Sequence, residues 1–123
     1  MTAARFRAVK FVIAAGVIAS ALHFADNAVE IAHYNEPGWI TRSGVVVTWF
    51  VVTAIAALAL LHRRADAVFF ALAGTYALVL LSGLLHYAYG PPMDMPMFSN
   101  VTVLIEAATG AALAIVLVAS ARD

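Results

Sequence analysis

The chain contains no cysteine. Disulfide bridges, thiolate metal sites, iron–sulfur clusters and cysteine nucleophiles are excluded with it. Charge is also scarce: only 11% of the 123 residues are Asp, Glu, Lys or Arg, where a soluble domain carries about 25%. Seven acidic and seven basic residues cancel, so there is no basic footprint for nucleic acid. The few prolines (Pro37, Pro91, Pro92 and Pro96) all fall between apolar runs. Nothing inside those runs therefore breaks a helix. No internal repeat is evident, and the length suits one domain.

What remains is apolar, at 64% of the chain. It divides into four runs, roughly 8–34, 44–62, 66–89 and 99–121. About 20 helical residues at ~1.5 Å each cover the ~30 Å hydrocarbon core of a bilayer. The predicted fold is all-α: an integral membrane, four-transmembrane-helix antiparallel bundle occupying residues 1–123 as one domain. Short connections favour the up-down-up-down order. Asn35, Pro37 and Gly38 end the first run, and Gly90-Pro91-Pro92 the third. Ser43 is the expected N-cap of the second helix, and Ser99 or Asn100 that of the fourth.

The beginning of the chain imitates a secretory signal. Arg5, Arg7 and Lys10 precede an apolar run, and Ala19-Ser20-Ala21 resembles a small-residue cleavage site. The run continues past that point with helical character, so an uncleaved first span is expected. Arg5, Arg7, Lys10, Arg63, Arg64 and Arg122 fall at one end of the bundle, with Arg42 alone at the other. The positive-inside rule then places both termini in the cytoplasm and the protein in the cell membrane as a multi-pass chain.

The acids gather at the end that the cations avoid. Asp26, Glu30, Glu36, Asp94 and Glu106 lie there, together with His23, His33 and His86. An ionisable group at membrane depth is expensive and is by default functional. On the first run, His23, Asp26, Asn27, Glu30 and His33 share an arc of about 120° at ~100° per residue. Gly16 and Ser20 continue that stripe inward. Helical rise places His33 near the interface and His23 about 15 Å deeper. His86 is expected near the level of His33 and Glu30, and Glu106 near Asp26 and Glu30. Span two offers only Thr48 and Thr53 and reads as a packing helix.

These positions predict a membrane-embedded site that needs a neutralising partner: a metal ion, a proton or a cationic ligand. A divalent metal is the first expectation, with Asp26, Glu30, His33, His86 and Glu106 as ligands. Glu30-x-x-His33 has the spacing of one half of a carboxylate-bridged dinuclear site. Zinc or iron would activate a bound water toward a lipid-soluble substrate. Met93, Met95 and Met97, beside His86 and Asp94, would suit copper. His23, Asp26 and Glu106 are the candidate acid–base residues. Asn27, Tyr87 and Asn100 are the candidates for orienting the ligands or a cofactor.

The alternative is metal-free acid–base chemistry on, or binding of, a lipid or isoprenoid by a Glu106–Asp26 pair. In architecture the chain resembles small sterol-isomerase-type bundles, a resemblance that implies His and carboxylate side chains around a lipid pocket. Proton-coupled export, as in small multidrug transporters, is a third reading. Haem b held by His33 and His86, or an accessory role in a membrane complex, is a fourth. Membrane lipid, a lipophilic small molecule, a second copy of the chain or a larger complex are the expected partners. Whether the protein is an enzyme is left open by the sequence.

Overall fold

Three of the long helices begin where a side chain accepts from the free amides of a first turn, and the fourth begins after a proline. The computed structural model describes residues 1–122. Helix α1 (Ala3–Val29) follows Thr2, whose hydroxyl accepts from the Arg5 amide. Helix α2 (Arg42–Leu61) is capped by Thr41, whose hydroxyl accepts from the Gly44 amide at 3.1 Å. Ser43, the expected cap, already lies inside that helix. Helix α3 (Ala67–Ser82) starts at Asp66, whose carboxylate accepts from the Val68 and Phe69 amides. The Phe69 amide holds the Asp66 carboxyl below the ordinary carboxylate range, and His62 adds to the effect. A 3₁₀ turn, Gly83–Leu85, leads from α3 into the short α4 (His86–Tyr89). Helix α5 (Met97–Ala121) begins directly after Pro96, so Ser99 and Asn100 are not its caps. A proline ahead of the first turn supplies the start there, because its ring presets φ and has no amide to satisfy.

Four helical segments are long and apolar enough to cross a membrane: Ala3–Val29, Arg42–Leu61, Ala67–Tyr89 and Met97–Ala121. The shortest has 20 residues, which at ~1.5 Å per residue matches ~30 Å of hydrocarbon. No strand occurs among the described residues. Large apolar side chains face outward along the helices, including Phe11, Ile18, Phe50, Leu78 and Ile115.

The helices alternate in direction. Arg5 near the start of α1 donates to the Ala119 carbonyl near the end of α5. Lys10 donates to the Leu60 and His62 carbonyls at the end of α2. A cation there satisfies helix-end carbonyls and complements the helix dipole. The interior has two halves. Toward the termini it is apolar, built from Val9, Ile13, Ala56, Phe69, Tyr76, Leu80 and Leu113. Toward the other end it turns polar, with His23, Asn27, Ser99, Thr102 and Glu106 all buried.

Helix α1 stops sooner than the sequence suggests. Glu30 leaves the helical region (φ −96°, ψ 24°), and a 3₁₀ turn follows at Ile31–His33. The segment from Glu30 to Thr41 then folds back as a strap over the polar end. Its contacts are long-range: the Asn35 amide donates to the Pro91 carbonyl, and His86 Nδ1 donates to the Asn35 carbonyl.

Candidate functional site: a polar chamber beneath the strap

The strap reorganises the stripe on α1. Tyr34, carried back over the bundle, donates to Asp26 Oδ2 at 2.6 Å and lies 3.5 Å from Thr102 Oγ1. Its ring packs on His23 and His86, with centroids 5.8 and 4.9 Å away. The rings of His23 and His86 meet edge-on at 5.3 Å. His86 thus meets His23, which lies deeper on α1, because the chain turns back at Glu30 and the helical rise does not continue.

Beneath the strap lies a cavity of about 440 Å³. Its polar wall is His23, Asn27, Glu36, His86 and Glu106, and its apolar wall includes Phe24, Trp39, Val45 and Val79. Thr41, Gly44 and Thr48 also line it, so α2 is a wall of the chamber and not merely a packing helix. Glu106 is fully buried, and its Oε2 lies 3.6 Å from His23 Nε2. That separation is too long for a good hydrogen bond. Both Glu106 oxygens, His23 Nδ1, Asn27 Oδ1 and Glu36 Oε1 are buried without a hydrogen-bond partner. Asn27 Nδ2 donates to Glu36 Oε2 at 3.1 Å, which fixes the amide orientation because a carboxylate only accepts. Gly83 makes room for the acid: a Cβ there would sit 2.8 Å from Glu106 Oε2.

The candidate residues divide between this chamber and its surroundings. His23, Asn27, His86 and Glu106 line it. Asp26 is held beside it by Tyr34. Glu30 and His33 form their own pair at 2.9 Å, with the His33 side chain 65% exposed, and stand outside the cavity wall. Tyr87 donates to Asn100 Oδ1, while Asn100 Nδ2 donates to the Pro92, Met95 and Pro96 carbonyls. Those two residues pin the 90–96 loop. Met95 is buried against Tyr34 and Val103, whereas Met93 and Met97 are exposed. Arg42, the one base near this end, donates to the Ala28 carbonyl at 2.6 Å.

Among the described residues, no group of three or more His, Asp or Glu side chains is placed to hold a metal ion. The metal expectation therefore finds no support in this geometry. Its physical reason is plain: Glu30 and His33 turn outward at the helix break, and Asp26 is engaged by Tyr34. Glu36 and Tyr34 are the site residues that the sequence underrated. Their importance comes from the strap, whose return is set by Asn35 and His86, far apart in the chain. No protein-family model matches the chain, and no curated protein or solved structure matches it either.

Tyr34→Phe tests the strap directly. It is expected to lower stability by about 1–2 kcal/mol, the lower part of the range for a hydrogen bond to a charged group with some access to water. Amide exchange over residues 30–41 should accelerate more than exchange within the helices. Uniform acceleration would mean that the Tyr34–Asp26 bond does not anchor the strap.

Proposed function

We propose that the four long helices span a membrane and that the chamber binds a lipid-soluble molecule by its polar end. The cation distribution supports an orientation with both termini in the cytoplasm, which sets the chamber in the opposite half of the bilayer. The observation that carries the binding reading is Glu106. A fully buried carboxyl with both oxygens unpartnered costs stability unless something else satisfies it. Here it lines a cavity of about 440 Å³, within the size range of small-molecule sites. The apolar wall suits the body of such a molecule, and His23, Asn27 and Glu106 suit its head. The Glu106–His23 pair is also placed to exchange a proton with that head, which is the route by which binding would extend to acid–base catalysis.

Mass spectrometry of organic extracts from the purified protein tests this. Wild type is expected to retain a lipid-soluble molecule near one equivalent, and Glu106→Met to lose it while keeping its helix content. Equal recovery from both proteins would overturn the proposal.

A further inference from the structure

The chamber's unpartnered groups are strongly biased in kind. Four are oxygens: Asn27 Oδ1, which only accepts, and Glu36 Oε1 and both Glu106 oxygens, which only accept once the carboxyls are ionised. The Asn27–Glu36 bond uses the amide's donor side and leaves its carbonyl free. His86 spends its Nδ1 hydrogen on the Asn35 carbonyl. Among the fully buried lining atoms, His23 Nδ1 is the one nitrogen without a partner. No Lys or Arg lines the cavity. The chamber therefore has acceptors to fill and negative charge to balance, and few donors to offer.

We infer that the occupant is a lipophilic primary amine, its ammonium seated among Glu106, Glu36 and Asn27. This rests on the proposed binding of a lipid-soluble molecule and names its chemical class. An ammonium brings several N–H donors, a positive charge and no acceptor, which matches the deficit group by group. An alcohol brings one donor together with lone pairs that would face the carboxylates. A fatty acid or phosphate brings acceptors and negative charge, and both are repelled here. A quaternary ammonium has the charge without the donors. Glu106 is buried and reaches the cavity from α5, whereas Glu36 arrives on the strap. The head is thus held between an acid on α5 and one on the strap.

The test uses wild-type protein in neutral phosphatidylcholine nanodiscs, with empty discs as the partition control. Saturable binding of dodecylamine, dodecanol, dodecanoate and dodecyltrimethylammonium is measured by competition. Dodecylamine is expected to bind about tenfold or more tighter than dodecanol and the quaternary amine, the factor given by one charge-assisted hydrogen bond. Dodecanoate should not compete. Glu36→Gln should reduce the preference for amine over alcohol, and it leaves the buried Glu106 in place for folding. Equal binding of alcohol and amine, or tighter binding of dodecanoate, would overturn the amine inference while leaving the chamber a lipid-binding site. No saturable binding of any of the four probes would count against the binding proposal itself.

Discussion

Glu106→Met is expected to stabilise the protein while abolishing ligand retention. The two effects have one cause. Glu106 is fully buried, His23 Nε2 is 3.6 Å away, and neither carboxyl oxygen has a hydrogen-bond partner. A buried polar group left unsatisfied costs about 1–3 kcal/mol. Methionine has a similar length, no hydrogen-bonding requirement and enough flexibility to fill the space beside Gly83. The gain should be about 1–3 kcal/mol, because replacing a buried, unsatisfied carboxyl by an apolar side chain of similar volume removes that cost. Thermal unfolding in detergent, after removal of bound lipid, measures the first effect. Extraction of retained ligand measures the second. A fall in the melting midpoint would show that the carboxyl supports the fold, and the argument for a ligand would lose its main observation. The contrast with Tyr34→Phe is informative: that change removes a partnered group and should weaken the structure, whereas this one removes an unpartnered group.

The long helices were legible because length, composition and punctuation agree at each of them. Proline and glycine mark two of the three breaks between the long helices, and Asp66 marks the start of α3 in both sequence and structure. The polar end was legible too, since polar side chains are rare in apolar runs: His23, Asn27, His86 and Glu106 stand out and line the cavity, while Asp26 and Glu30 stand out equally and do not. What escaped the sequence was the partnering. Depth arithmetic along a continuous helix paired His86 with His33, but α1 ends at Val29 and the strap returns Asn35 to His86. No local pattern announces that return. It depends on an acceptor at Asn35 and a donor at His86, which are 51 positions apart. Gly83 is a similar case. A glycine within an apolar helix ordinarily permits close helix packing, yet the atom this one accommodates is Glu106 Oε2. The difference has chemical meaning, because space reserved for a carboxylate belongs to the site and not to the scaffold.

Gly110 shows the opposite case: it serves close helix packing, and the expected effect of filling it on stability is large. A Cβ at Gly110 would lie 2.8 Å from Leu80 Cβ, and 3.0 Å from both the Ala77 carbonyl oxygen and the Leu81 amide nitrogen. These are backbone and side-chain root atoms, so no rotamer change relieves the contact. Helices α3 and α5 would have to separate, and Gly110→Ala is expected to cost about 1–3 kcal/mol, the range for overpacking a close-packed interior. Gly74 provides the control. Nothing approaches its would-be Cβ within 4 Å, so Gly74→Ala should be neutral or stabilising by about 0.4–1 kcal/mol through helix propensity and unfolded-state entropy. The separation also reaches the chamber. Glu106 is one turn from Gly110 on α5, while Val79 and Ser82 line the chamber from α3. Gly110→Ala should therefore weaken ligand retention as well, and Gly74→Ala should not. If both variants melt together with wild type, the close approach of α3 and α5 is not what sets the floor of the chamber.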